Sequence, residues 1–355
     1  MISSIVTHEE NLARDSQDEA IHQPQCRPTV FQARAQRLFG RSIDNIQLPK
    51  HEVINKAPSA TSSWDIEEEY KPHHPLDSFC TLKDTLESML PRNIKVSPTK
   101  EYSKEIDDHL FNIEQPNFSS LLGTKITDKI RAILIDWILE VHLKFKLRDE
   151  TLFLTISILD KYLGTASIPI EKLQLLGATC MFIACKYEEI YPPRIKNFIY
   201  LIANSHTKDE LLLMEQAILK QLNFNICIPS SYLFLKRFMN STNDNIKFFS
   251  QYLLELALFD RQLLQHKPSL LAASSLYIAN EVIGGEYWSY EMEKKTKCNK
   301  SSLEAVVKHI LKLLQAFTNS KLKIIKRKFS LVQYGRVATK QEKYLKVAFS
   351  LHNLS

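Results

Sequence analysis

The chain has 355 residues, a formal net charge of +6 and only seven glycines. So little glycine argues against a protein built from tight hairpins, because primed turns depend on it. The six cysteines are scattered with no C-x-x-C pair, which excludes a zinc ribbon or a dithiol redox motif and fits a reducing compartment. No apolar run approaches the ~18 residues of a membrane span, and Met1 to Leu12 lacks an apolar signal core, so a soluble intracellular protein is expected.

Residues 1–98 read as a disordered arm, rich in Gln, Ser, His, Pro and charge, without a sustained apolar period. From Thr99 a short helix is expected, with Tyr102, Ile106, Leu110 and Ile113 on one face and Pro116 ending it. Helical patterns then follow near 127–145, 149–164, 171–189, 194–203 and 208–222. Asp149 is placed to cap the second and Thr207 the fifth, while Pro192-Pro193 separates the third from the fourth. Cys180 and Cys185 fall in the third pattern, where a small buried thiol is expected. A second set begins after Pro229, near 230–240, 244–263, 268–283, 302–317 and 320–328. The run from Lys321 to Lys346 is basic, with Glu342 as its single acid, and reads as a solvated helix face and tail.

The third helix of each set exposes an internal repeat. Leu175-Leu176-Gly177-Ala178-Thr179-Cys180 lies over Leu270-Leu271-Ala272-Ala273-Ser274-Ser275 at an offset of ninety-five residues. Small side chains recur at the same places, which suits the central helix of a compact bundle. A period this long means two copies of one domain. The expected fold is all-α, two helical bundles in tandem.

The segment Ile130-Arg131-Ala132-Ile133-Leu134-Ile135-Asp136-Trp137 is apolar nearly all round. Such a helix is sunk in a core or serves both a core and a groove. Arg131 and Asp136 inside it must find partners. This string, followed by Glu140-Val141-His142-Leu143-Lys144-Phe145, resembles the first cyclin box. So do Ile158-Leu159-Asp160-Lys161-Tyr162-Leu163 and Ala184-Cys185-Lys186-Tyr187-Glu188-Glu189-Ile190-Tyr191-Pro192-Pro193. His142, Phe145 and Phe234-Leu235-Lys236-Arg237-Phe238 lean towards a G2/mitotic B-type cyclin. The resemblance covers about 99 to 338. It implies two five-helix boxes at 99–228 (with the short N-terminal helix) and 229–330, a regulatory arm at 1–98 and a basic tail at 331–355.

The resemblance further implies a non-catalytic subunit that activates a cyclin-dependent protein kinase, with nuclear and cytoplasmic residence and no cofactor. By position, Lys186 and Glu215 match the charges that grip the kinase, with Ile183, Tyr187 and Leu219 as apolar contacts. Ile130, Ile133, Leu134 and Trp137, with Leu173, Gln174 and Leu201 as walls and Glu140 as the acid, match a groove for substrates or inhibitors carrying an Arg-x-Leu peptide. Ala203 stands where a further acid is often found. Arg131 and Asp160 match a structural ion pair. In the arm, Arg34, Arg37, Leu38 and Asn45 carry the ingredients of a destruction signal in the wrong register, for ubiquitin-dependent degradation machinery.

An enzyme is not expected, since there is no glycine-rich phosphate loop, clustered metal-ligand set or recognisable nucleophile context. The alternatives are a cyclin of another subtype, S-phase or transcriptional, and a cyclin-fold DNA-binding transcription factor. The latter normally carries an N-terminal zinc ribbon, for which this chain lacks cysteine pairs.

Overall fold

A computed structural model describes residues 102–116, 126–202, 205–239, 243–284 and 288–352. Among them lie thirteen α-helices. The first bundle holds α2 (Asp128–Lys144), α3 (Asp149–Thr165), α4 (Leu173–Glu188), α5 (Ile195–Leu201) and α6 (Lys208–Gln221), after α1 (Ser103–Ile113). The second holds α7 (Ser231–Phe238), α8 (Asp244–Ala257), α9 (Pro268–Ile283), α10 (Tyr290–Thr296) and α11 (Lys300–Thr318). Two more helices close the chain, α12 (Ile324–Lys328) and α13 (Gln341–His352).

Local chemistry sets several of these ends. Thr127 caps α2 by accepting from the Ile130 amide at 3.3 Å. Thr207 caps α6 in a reciprocal box, its hydroxyl taking the Glu210 amide and the Glu210 carboxylate taking the Thr207 amide. Pro268 opens α9, and Gly284 closes it in the left-handed region at φ +79. Asp149 departs from expectation. It is the first residue of α3, whose N-cap is Arg148, and makes no capping bond there. Its carboxylate is drawn away by Lys328 and Tyr232.

The repeat reads out as two central helices. In the first bundle α4 packs against α2, α3, α5 and α6, and in the second α9 packs against α7, α8, α10 and α11. Gly177 lets α2 approach α4. A Cβ there would lie 3.0 Å from Leu134 Cδ1 and 3.4 Å from Trp137 Cζ3. In α9 the equivalent small residues Ala272, Ala273, Ser274 and Ser275 are all buried.

Two buried charge clusters join the bundles. Arg131 donates from Nε and Nη2 to the Asp160 carboxylate, both at 2.7 Å, and from Nη1 to the Leu258 carbonyl at 2.9 Å. The pair thus ties α2 to α3 and to the turn after α8. Lys328 on α12, fully buried, donates to Glu255 at 2.6 Å and to Asp149 at 3.0 Å. Burial pushes the Glu255 carboxyl up to about 7 even with Lys328 beside it. Burial also pushes Asp149 up, but the charges of Lys328 and His142 more than offset that and hold it below its ordinary value. Asp136 accepts from the Ile324 amide at 3.3 Å, fixing α12 against α2.

Three expectations need correction. The short helix α1 does not use the face Tyr102, Ile106, Leu110, Ile113, since Tyr102, Ile106 and Ile113 are exposed. Phe111 packs instead, 5.3 Å from the Phe234 ring, while Arg237 pairs with Asp107 and Lys297 with Asp108. These charges fix the helix rotation, and they dock it on the second bundle. Glu114 then accepts from the Ser269 amide and hydroxyl at the start of α9. A helix at 320–328 is cut to α12, because Asp136 holds the Ile324 amide where the turn begins. Finally, the chain beyond 330 is no tail. Tyr344 and Ala348 of α13 are buried, Tyr344 packs 4.6 Å from the Phe249 ring, and Gln341 bridges Tyr252 and the Leu314 carbonyl. Its basic residues Lys343 and Lys346 are exposed, as a solvated helix face requires.

Candidate functional site

The end of α4 and the middle of α6 build one surface. Lys186 lies in the last turn of α4, where a cation suits the helix dipole, and pairs with the carboxylate of Glu215 on α6. Its ammonium also sits 4.4 Å from the centre of the Phe182 ring. The lysine side chain remains 44% exposed and the glutamate 11%, so the ammonium faces outwards over a mostly shielded carboxylate. Around them, Tyr187 is exposed, Leu219 half-buried and Ile183 buried in the core beneath. A hydrogen bond with Cys227, then partial burial, raises the Tyr187 hydroxyl above its ordinary value, so it stays a donor.

Two exposed residues just beyond α4 and α6 were not among the expected contacts. Ile190 is 70% exposed just beyond α4, and Phe224 is 68% exposed in the turn after α6, held at φ +58. The signal was present in Asn223-Phe224-Asn225, an aromatic between two asparagines with no helical period to bury it. An exposed large apolar residue is ordinary singly, but Tyr187, Ile190 and Phe224 all fall within a few residues of the ends of α4 and α6.

The expected groove residues also come together, on α2, α4 and α5, but as a closed seam. Ile133, Leu134, Trp137, Leu173, Gln174 and Leu201 are all buried, while Ile130 and Glu140 are half-buried at its margins. Leu134 belongs to the core, pressed against Gly177. Gln174 is 2% exposed, and neither its amide nitrogen nor its oxygen has a hydrogen-bond partner. Ala203 and the arm residues Arg34, Arg37, Leu38 and Asn45 lie outside the described residues.

Comparison with known proteins places this architecture. The family described as "Cyclin, N-terminal domain" matches residues 99–227, and "Cyclin, C-terminal domain" matches 229–343. Cyclin-B2-1 of Oryza sativa subsp. japonica is 34% identical over 297 residues, covering 80% of this chain and 70% of the rice protein. The chain belongs to the cyclin family. Cyclin-B2-2 of Arabidopsis thaliana is 37% identical over 220 residues, which cover 61% of this chain and 51% of the Arabidopsis protein. The chain therefore spans about half the length of that relative. Within the family it is most like the B-type cyclins. An X-ray structure of a viral cyclin from herpesvirus saimiri superposes with a TM-score of 0.52 at 20% identity, covering 60% of this chain and 97% of the viral one, a likeness of fold. The two bundles are thus the two cyclin boxes, and both α1 and α13 are packed on the second. The Lys186–Glu215 surface belongs to the first box alone.

Proposed function

We propose that this cyclin is the non-catalytic regulatory subunit of a cyclin-dependent protein kinase acting at the G2/M transition, in nucleus and cytoplasm. The observation that carries the reading is the Lys186–Glu215 pair joining the end of α4 to α6, with Tyr187, Ile190 and Phe224 exposed at or just beyond the ends of these helices. A protein kinase becomes competent when the lysine on its third strand meets a glutamate on a mobile helix. A rigid surface that contacts that helix better in its inward position shifts the equilibrium towards the active state. The apolar side chains supply burial, and the ion pair supplies a donor and an acceptor for backbone groups at the end of the partner's helix.

The test follows from the pair being internal. Lys186→Glu with Glu215→Lys exchanges the charges while keeping an ion pair within the chain, so helical content and melting should hold. Co-purification of the kinase and phosphorylation of a histone-type substrate should be lost, since charged contacts at interfaces are worth ~2–5 kcal/mol on truncation. Undiminished kinase binding by a well-folded double variant sinks the assignment.

A second role is supported by the α2–α4 seam. The seam is closed, with Ile133, Trp137 and Gln174 buried, so a substrate carrying an Arg-x-Leu peptide would meet it at the half-buried margin of Ile130 and Glu140. Trp137→Ala is a poor probe, because truncating a buried tryptophan costs ~3–5 kcal/mol by itself. Glu140→Lys, at a half-buried position, should weaken phosphorylation of substrates with the docking peptide. Short peptides holding only the phosphorylation site should be processed as before, because docking adds effective concentration and not chemistry.

A further inference from the structure

Helix α12 sits at the join of the two boxes, packed on α2 of the first and α8 of the second. Bonds at both ends seat it. At its start the Ile324 amide donates to Asp136 at 3.3 Å. At its end Lys328 donates to Glu255 of α8 at 2.6 Å and to Asp149 of α3 at 3.0 Å. Ile324 and Ile325 are buried between these anchors. A helix this short supplies little stability of its own, so its seat depends on them.

The charges at the Lys328 end do not balance. Two carboxylates face one ammonium, and Lys328 and Glu255 are both fully buried, so full ionisation leaves net negative charge away from water. The two acids are not equally placed. Asp149 is 22% exposed, and both its oxygens are held, Oδ1 by Lys328 and Oδ2 by the Tyr232 hydroxyl at 3.3 Å. In Glu255, Oε1 takes both Lys328 and the Gln251 amide, the latter at 3.0 Å. Its Oε2 is buried and meets no partner among the described residues. A proton is best placed on Glu255, because an unpaired buried hydroxyl costs less than an unpaired buried charge. Burial lifts this carboxyl to about 7 against the attraction of Lys328. Burial lowers the Lys328 ammonium, but Glu255 and Asp149 outweigh it and hold it above its ordinary value, so the lysine stays charged. Of the groups around them, His142 of α2 faces Asp149. Tyr232 of α7, Tyr252 of α8 and Tyr334 beyond α12 are raised by burial and stay neutral. Glu150 of α3 faces Tyr232 but pairs with Lys236 at 2.6 Å.

We propose that α12 is a latch between the two boxes, seated while Glu255 holds a proton and lifted from α2 and α8 when that proton passes to water. The latch stands apart from the kinase reading, since Lys186 and Glu215 lie on other helices. In the lifted state water reaches Glu255 and its carboxyl returns to the ordinary 4.5, whereas the seated state favours the protonated form up to about 7. The latch is therefore tightest in acid and loosens as pH rises through about 7. Between pH ~6 and pH ~8 the ratio of lifted to seated molecules should rise ~10-fold.

Hydrogen exchange on the full chain, read by mass spectrometry and corrected for the intrinsic rate at each pH, tests this. Peptides covering 322–331 report on α12, and peptides from the central helices α4 and α9 report on global unfolding. The α12 amides should be less protected than those of α4 and α9, and their protection should fall ~10-fold between pH ~6 and pH ~8. Protection of α12 equal to that of α4 and α9 at both pH values overturns the proposal, because α12 then opens only with the whole molecule. Protection of α12 that ignores pH overturns it as well. Glu255→Gln keeps the shape of the protonated acid and should hold α12 at pH ~8 to the protection seen at pH ~6. A ~10-fold fall that persists in this variant, folded by circular dichroism, moves the proton to another group, His142 first, and overturns the role of Glu255. The comparison across pH in the unaltered chain needs no variant, so it decides the matter even where the substitution fails to fold.

Discussion

Replacing Arg131 by Met should nearly unfold the protein without touching its surface. The guanidinium makes two parallel bonds of 2.7 Å to Asp160 and one of 2.9 Å to the Leu258 carbonyl. Both charged side chains are about 1% exposed, so neither can turn to water. Removing one member of a buried pair strands the other charge at ~3–5 kcal/mol, and the orphaned carbonyl adds about 1 kcal/mol. With ~2–4 °C of melting temperature per kcal/mol for a folded unit of this size, the single variant should melt ~8–24 °C lower. The compensating double, Arg131→Met with Asp160→Leu, removes both charges and leaves mainly the Leu258 carbonyl unsatisfied. It should recover to within ~1–3 kcal/mol of the parent. Urea unfolding followed by circular dichroism gives both values. A single variant within ~1 kcal/mol of the parent, or a double as unstable as the sum of its singles, would refute the reasoning. Kinase binding by Arg131→Met should disappear only where the fold does.

Three further outcomes follow from buried positions. The folded Glu255 carboxyl titrates near 7, above its ordinary value of 4.5, so its contribution to stability is complete at acidic pH and is lost as pH rises through about 7. Glu255→Gln should flatten that limb of melting temperature against pH between 5 and 8, and an unchanged slope would show that another group sets it. Gly177→Ala places a methyl 3.0 Å from Leu134 Cδ1, so overpacking of ~1–3 kcal/mol should outweigh a helix-propensity gain of about 1 kcal/mol, read from the urea midpoint. Ending the chain after Lys340 removes buried Tyr344 and Ala348 with half-buried Leu345 and Phe349, and should cost several kcal/mol at ~1.5–3 kcal/mol per large apolar side chain. A truncated protein that melts unchanged would restore the tail reading.

What the sequence revealed depended on period and on local chemistry. Helices α2 to α9 were legible because their apolar spacing is regular and because Thr207, Pro268 and Pro192-Pro193 punctuate them in recognisable ways. The rotation of α1 was not legible. Ile106 and Phe111 compete for the core, and Asp107 and Asp108, which decide between them, act through Arg237 and Lys297 more than a hundred residues away. Beyond 330 the density of lysines masked Tyr344, Ala348 and Phe349, a helical face inside a basic run. The seam shows a third kind of limit. Composition told that Ile133 and Trp137 could serve two surfaces, but burial is a property of what lies over them, and spacing does not encode it.

The repeat also bears on why the two boxes do different work. At the ninety-five-residue offset, Lys186, Glu215 and Leu219 fall on Glu281, Ile310 and Leu314. Ile310 and Leu314 are fully buried on α11, and Glu281 pairs with His352 of α13 at 2.9 Å. Helix α13 lies against both α9 and α11, the counterparts of α4 and α6. The second box has therefore filled this face with a helix of its own chain, and its residues have become the apolar ones that such covering requires. The first box keeps charge at the same positions and leaves Tyr187 and Phe224 exposed beside them. A face that accepts a helix in one copy has the shape to accept one in the other. On the reading proposed above, the helix taken up by the first box is the kinase's mobile one, so a charge exchange at Lys186 and Glu215 is its sharper probe, while changes at Glu281 should act only through α13.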